Sequence, residues 1–199
     1  MTFQEAEKLL KEAVCNNPGL WEQHSYSVAN NARLIAERVQ NMDSEKAAVL
    51  GLLHDIGRKE GVTGIRHIFD GHDYMLSISE KDVARICLSH SFPVKDADAF
   101  VGRYDCTEEQ LQFLRDFLEN AHYDDYDRLI QLCDAISLPN GACIMEKRLV
   151  DVALRHGLPD CTLKKWRAFM ELKKYFDKLC GCNIYQLLPN VIENTIDNL

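Results

Sequence analysis

A histidine and an aspartate stand side by side at positions 54 and 55, at the end of an apolar segment. The residues before them, 49–53, are typical of a buried helix, and Gly57 follows two residues later. Neighbouring side chains in mid-helix diverge by about 100°, but the backbone can turn at a helix end beside a glycine. His54 and Asp55 are therefore candidates for two converging metal ligands. For an isolated pair, a histidine favoured by the helix dipole would be the simpler explanation.

Four further candidate donors lie elsewhere in the chain, each in a segment with a helical pattern. They are His24, His67, His90 and Asp134. Asp134 lies within the apolar segment 129–136, where an unpaired carboxylate would be costly. With the His-Asp pair, the chain offers four histidines and two aspartates on five helices. Imidazole and carboxylate ligands together suit iron, manganese, cobalt, nickel or zinc better than calcium.

This series resembles the H…HD…H…H…D pattern of the HD superfamily of metal-dependent phosphohydrolases. The sequence LLHDIGR matches the central motif of that family, and RHIFDG, ARICLSHS and LIQLCDAIS resemble its other blocks. The resemblance covers residues 20–138 and implies an all-α fold, an HD-domain-like helical bundle. Residues 139–199 resemble no pattern that we can name.

The resemblance also implies a ligand set and an activity. The implied metal ligands are His24, His54, Asp55, His67, His90 and Asp134. Four of them would hold one divalent ion, while His67 and His90 would hold a second and Asp55 would bridge both. Two ions about 3.5–4 Å apart can share a hydroxide and polarise a phosphoryl oxygen. The expected enzyme is a phosphomonoesterase or phosphodiesterase that acts on a nucleotide or another small phosphorylated substrate. Its nucleophile would be a metal-bound hydroxide, and Asp55 would be a catalytic residue.

His72 is an alternative to His67 as the third histidine ligand. The two residues are five positions apart, so their side chains point about 140° apart on a helix and cannot both face one site. Gly71 follows His67 at the spacing of the family motif. We therefore assign the ligand position to His67.

Three cations flank the proposed ligands and are candidates for binding a substrate phosphate. They are Arg58, Lys59 and Arg66, of which Arg58 is the most favoured and is also a candidate catalytic residue. The alternative is that they neutralise an acidic surface or interact with a helix end. The long connection from residue 91 to residue 106 is expected to cover the site.

Two other functions use the same residues. Some proteins of the resembling family hold two irons on the same ligands and use oxygen, which makes a di-iron oxygenase the alternative enzyme. A non-catalytic sensor or interaction module that binds a ligand or a structural metal is the second alternative. The complete ligand set argues against the second one.

The hydrophobic pattern predicts helices almost throughout and no strand hairpin. The predicted helices span 3–15, 20–39, 46–54, 65–78, 80–90, 107–120, 123–137, 142–156, 163–179 and 184–197. Ser44 is the predicted cap of the third helix, and residues 57–64 are a predicted loop. Residues 1–138 are expected to form the metal-binding core. Residues 139–199 are expected to be a C-terminal helical extension packed on that core, so that the two form one continuous domain.

Composition limits the classes of partner. The chain has 199 residues, is 46% hydrophobic and carries a net charge of -8, which argues against general nucleic-acid binding or binding to anionic membranes. No apolar run approaches the roughly 20 residues of a membrane span, and the N-terminus lacks a signal-peptide pattern. A cytoplasmic location with eight free thiols is expected. The apolar stripe from Trp166 to Phe176 fits a core helix or a dimer contact, which leaves a homodimer open.

Overall fold

The computed structural model describes residues 1–196, which form an all-α protein. The α-helices in this part of the chain are α1 (Phe3–Asn16), α2 (Trp21–Ala36), α3 (Ser44–Leu53), α4 (Arg66–Ser77), α5 (Lys81–Ser89), α6 (Glu108–Asn120), α7 (Asp125–Ile136), α8 (Met145–His156), α9 (Thr162–Cys180) and α10 (Val191–Ile196). Three short 3-10 helices span Ile56–Glu60, Ala97–Ala99 and Ile184–Gln186. The predicted fold class is confirmed, and all eight cysteines are free thiols.

Three local predictions were wrong. A short antiparallel hairpin joins β1 (Ser137–Leu138) to β2 (Gly141–Ala142), and strands of two residues are too short to show alternation. Asp43 rather than Ser44 caps α3, because its carboxylate accepts hydrogen bonds from two backbone N–H groups of the first turn. The predicted loop after the His-Asp pair begins with a 3-10 helix.

The last predicted helix, 184–197, is also wrong over the residues that are described. It consists of the 3-10 helix Ile184–Gln186 and the separate helix α10, with Pro189 in the break between them. Proline lacks the backbone N–H that a continuous helix would need. The final residue of that prediction, Asp197, lies outside the described residues.

A small residue lets α2 and α3 pack closely. A β-carbon at Gly51 would lie 2.9 Å from the Cα atom of Ala29, so only glycine fits between the two backbones. This contact brings the first half of α2, which carries His24, alongside the end of α3, which carries His54.

A second glycine fixes α4 against the turn that follows the His-Asp pair. A β-carbon at Gly57 would collide with the carbonyl oxygen of His67 and with the backbone nitrogen of Gly71. The 3-10 helix Ile56–Glu60 therefore lies directly on the first turns of α4. This approach places His67 beside Asp55.

The C-terminal helices share the main hydrophobic core with the N-terminal ones. Buried residues of that core come from both parts of the chain, for example Val28 and Leu132 on one side and Phe169 and Phe176 on the other. The six large apolar and aromatic residues of the predicted stripe from Trp166 to Phe176 all pack in or against this core. A smaller core joins α4 and α6 with the long connection after α5. Within residues 1–196, no helix is both long and apolar enough to cross a membrane.

We expect Gly57→Ala to destabilise the protein by about 2 kcal/mol or more, because backbone atoms of α4 must move to admit the methyl group. Gly19→Ala is the matched control, since its closest neighbour is a side-chain carbon of Trp21 at 3.1 Å, which can shift. Urea denaturation followed by circular dichroism measures both. Equal stability of Gly57→Ala and the wild type would contradict the proposed packing constraint.

Candidate metal centre

The six predicted donors converge in the structure. They are His24 in the first turns of α2, His54 at the C-terminal cap of α3, Asp55 directly after it, His67 in the first turn of α4, His90 at the C-terminal cap of α5, and Asp134 in the last turn of α7. Five of them are buried, whereas the Asp134 side chain is 25% exposed. The cluster therefore opens to solvent on the side of Asp134.

One group of donors surrounds Asp134. His24 Nε2 lies 2.9 Å from Asp134 Oδ1, and His54 Nε2 lies 3.9 Å from the same oxygen. The rings of His24 and His54 are 5.4 Å apart and meet edge to face. These three donor atoms are close enough to bind one metal ion.

A second group surrounds Asp55. Its Oδ1 atom lies 3.2 Å from His67 Nε2 and 3.7 Å from His90 Nε2, and these two nitrogens are 3.5 Å apart. The other oxygen, Oδ2, lies 3.8 Å from His54 Nε2 and accepts a hydrogen bond from Arg58 Nε at 2.5 Å. Asp55 therefore faces both groups of donors through different oxygens.

Backbone carbonyls set the orientation of three of the imidazoles. The Nδ1 atoms of His54, His67 and His90 lie 2.7, 2.5 and 3.0 Å from the carbonyl oxygens three residues earlier. A carbonyl can only accept, so each Nδ1 carries the proton and each Nε2 presents a lone pair to the cluster. This arrangement is typical of histidines that bind metal.

The resulting cluster holds acceptor atoms that face one another. His67 Nε2 and Asp55 Oδ1 are both acceptors only 3.2 Å apart, and His54 Nε2 and Asp55 Oδ1 are buried without a hydrogen-bond partner among residues 1–196. Such contacts are repulsive unless a proton or a cation lies between them. Donors bound to one ion at about 2.0–2.2 Å lie roughly 3 to 3.5 Å apart, close to the distances around Asp55. The residues therefore fit a divalent metal.

Burial and neighbouring charges favour the protonation states that bind metal. Burial lowers the pKa of His24, although Asp134 acts against this effect, and burial together with His54 lowers the pKa of His90 to about 3. Burial would raise the pKa values of both aspartates. The charge of Arg58 nevertheless holds the pKa of Asp55 well below its usual value, and the hydrogen bond from His24 lowers the pKa of Asp134. His24 and His90 are therefore neutral, and both carboxylates are ionised, at neutral pH.

A protein-family model described as the HD domain matches residues 21–138, which is more than half of the chain. The chain belongs to the HD-domain family. HD domains are generally hydrolases that bind divalent metals. No curated protein and no solved structure matches this chain with significant similarity.

The remaining predicted residues of this HD domain have varied surroundings. His72 lies apart from the six donors, with Nδ1 2.9 Å from Asp73 Oδ1 and its ring against Phe113. The ammonium group of Lys59 packs 3.6 Å from the centre of the Tyr74 ring. Of the three candidate cations, only Arg58 contacts a donor, since Arg66 pairs with Asp70 on its own helix.

Sequence reasoning missed a polar network that joins α5 to α7 in the HD domain. Asp127 is fully buried and accepts hydrogen bonds from Ser89 Oγ at 2.8 Å and from Arg85. Gln131 Nε2 also donates to the backbone carbonyl of Ser89 at 3.0 Å. Ser89 directly precedes His90, so this network positions His90 relative to α7 and its Asp134. As an acid in a first helical turn, Asp127 gave no sequence signal beyond the helix dipole.

The connection after α5 reaches the cluster through a residue that the sequence analysis did not single out. The centre of the Phe100 ring lies 6.3 Å from the centre of the His67 ring. The polar residues of this segment have other contacts, because Lys95 donates to the carbonyl of Ala121 and Arg103 pairs with Asp105. The segment therefore forms a partly apolar wall of the HD-domain cluster.

The metal-free protein should lose stability as the pH falls from 7 to 5. The pKa of His90 is about 3 in the folded state against 6.5 ordinarily, so the unfolded chain binds the extra proton within this range. For His90 this difference costs about 2 kcal/mol between pH 7 and pH 5. Thermal denaturation in EDTA at several pH values measures the loss, and His90→Gln should reduce it. Stability that is flat or rises on acidification would contradict the buried, neutral state of His90.

We expect Asp127→Asn to weaken metal binding about tenfold, because His90 would be held less firmly against α7. Calorimetric titration with Mn²⁺ measures the affinity. Asp125→Asn is the matched control, since Asp125 lies on the same turn but pairs with Arg128 and Tyr175. Unchanged affinity in a folded Asp127→Asn protein would show that the network does not position His90.

Proposed function

We propose that this HD-domain protein is a metal-dependent phosphohydrolase with two divalent ions, acting on a small phosphorylated molecule such as a nucleotide. The observation that carries the proposal is the set of mutually facing acceptor atoms around Asp55. Its two oxygens are directed to different donors, which supports a bridging role between two ions. Iron, manganese, cobalt, nickel and zinc all suit this ligand set.

The charge of the cluster supports a phosphorylated substrate. Four neutral histidines and two carboxylates carry a charge of -2, so two divalent ions would leave the site positive. Arg58 adds a further positive charge beside Asp55. A positive, partly buried site attracts a phosphate group strongly. The divalent ions, when bound, would supply a nucleophile at neutral pH and polarise the phosphoryl oxygen.

The residues of the chain have distinct tasks in this proposal. Asp55 and Asp134 would bind the divalent ions and offset part of their charge. The histidines that bond to backbone carbonyls would fix the positions of these ions. Arg58 keeps Asp55 ionised and offers the remainder of its guanidinium group to an equatorial phosphate oxygen. The opening beside Asp134 is the approach route for the substrate, and the net charge of -8 disfavours a nucleic-acid polymer as that substrate.

Release of orthophosphate from a panel of nucleotides and sugar phosphates, with Mn²⁺, Fe²⁺ or Co²⁺ added in turn, tests the proposal. We expect turnover by the wild type and background rates for Asp55→Asn, which should also bind less metal. Arg58→Gln should lower kcat/KM about 10- to 100-fold, the value of a charged hydrogen bond.

His72→Gln and Arg66→Gln are the matched controls, and both should retain most of the activity. A loss in His72→Gln equal to that in His67→Gln would overturn the choice between these histidines. Wild-type protein that binds two ions but hydrolyses nothing on the panel would count against a phosphohydrolase. Oxygen uptake by the iron-loaded form would instead indicate the oxygenase alternative.

A further inference from the structure

A lysine from the C-terminal helices is buried beside the cluster. Lys165 lies in the first turn of α9, outside the residues that match the HD-domain model. It is only 9% exposed, an uncommon environment for an ammonium group. Its ammonium group bonds to the carbonyl oxygen of Ala99, the residue before Phe100, whose ring lies near that of His67. Asp134 is the ligand on the open side of the cluster.

The protein offers few hydrogen bonds or negative charges to offset the cost of burying the Lys165 ammonium group. It donates one hydrogen bond, to the carbonyl oxygen of Ala99 at 3.2 Å, and lies 6.0 Å from the centre of the Phe169 ring. Within the described residues, no carboxylate lies at ion-pairing distance from it. Burial lowers the pKa of Lys165 to about 8, while the charge of Asp134 acts in the opposite direction. An ammonium group has three donors, so two of them have no acceptor among residues 1–196.

The surroundings place this charge at the wall of the site. Ala99 is followed by Phe100, whose ring lies near that of His67. The charge of Asp134 acts to raise the pKa of both Arg58 and Lys165. Arg58 comes from the HD motif, and Lys165 comes from the extension.

We propose that Lys165 binds the phosphate group of the substrate, so that the C-terminal extension completes the active site. This inference rests on the proposed phosphohydrolase function and adds a specificity-determining residue to it. A phosphate anion bound near Asp134 would accept hydrogen bonds from the two unused N–H groups of Lys165. Its negative charge would also balance the charge of the ammonium group. If Lys165 served only to bond to the Ala99 carbonyl, a neutral donor would be sufficient and would avoid the cost of burying a charge. The buried charge is therefore better explained by an anionic ligand.

Titration of the Mn²⁺-loaded protein with inorganic phosphate, followed by calorimetry, tests the inference without requiring turnover. Lys165→Met keeps the apolar stem and removes the charge. Lys165→Gln keeps a donor for the Ala99 carbonyl and also removes the charge. We expect both variants to bind phosphate about 10- to 100-fold more weakly than the wild type, with unchanged manganese content. Lys174→Met, an exposed lysine on the same helix that pairs with Glu171, should bind as the wild type does.

Wild-type phosphate affinity in Lys165→Gln would overturn the inference, since a structural clamp alone would then explain the contact. Absence of phosphate binding by the wild type would overturn it as well. If Lys165→Met does not fold, Lys165→Gln alone decides. A weakened phosphate affinity in a protein that hydrolyses nothing on the substrate panel would support the anion site and defeat the phosphohydrolase assignment, so the two failures are distinguishable.

Discussion

The rest of the structure depends on keeping two ionised carboxylates, Asp55 and Asp134, inside a helical bundle. A buried carboxylate must be compensated by hydrogen bonds or positive charge. Here the ends of α3, α4 and α5 and the first turns of α2 bring imidazoles to these two groups, and Arg58 bonds to Asp55. The compensation is incomplete, because His67 Nε2 and Asp55 Oδ1 face each other as acceptors. The fold thus stores a repulsion that a divalent cation would relieve, which couples metal affinity to folding.

The same local hydrogen bond occurs at three of the candidate ligands. His54, His67 and His90 each bond through Nδ1 to the carbonyl oxygen three residues earlier. Because this bond is made within a single turn of chain, the tautomer and direction of each ring are set locally, by the turn that carries it. Tertiary packing then has only to bring the turns together. Gly51 and Gly57 allow that approach, since a side chain at either position would separate the backbones that carry the ligands.

Residue types, spacing and the family resemblance were sufficient to predict that these six side chains converge, because histidines and aspartates in apolar helical segments are chemically distinctive. Features that arise only from tertiary contact gave no such signal. Asp127 reads in the sequence as an ordinary first-turn acid, yet it is buried and bonded to Ser89 and Arg85, on a different helix. The hairpin at residues 137–142 is too short to alternate. Lys165 reads as one of several basic residues on α9, and only the packing of that helix distinguishes it.

The C-terminal helices are part of the main hydrophobic core and not a separate addition to the HD domain. The family match ends at residue 138, yet Phe169 and Phe176 of α9 are buried in the same hydrophobic cluster as Leu132 of α7, two residues before Asp134. Removing α9 would expose part of the core that α7 helps to form. A segment outside the family pattern therefore stabilises the helix that carries Asp134. In the proposed enzyme, changes in this segment would leave the six candidate ligands unaltered, so the extension is where we expect substrate preference to be set.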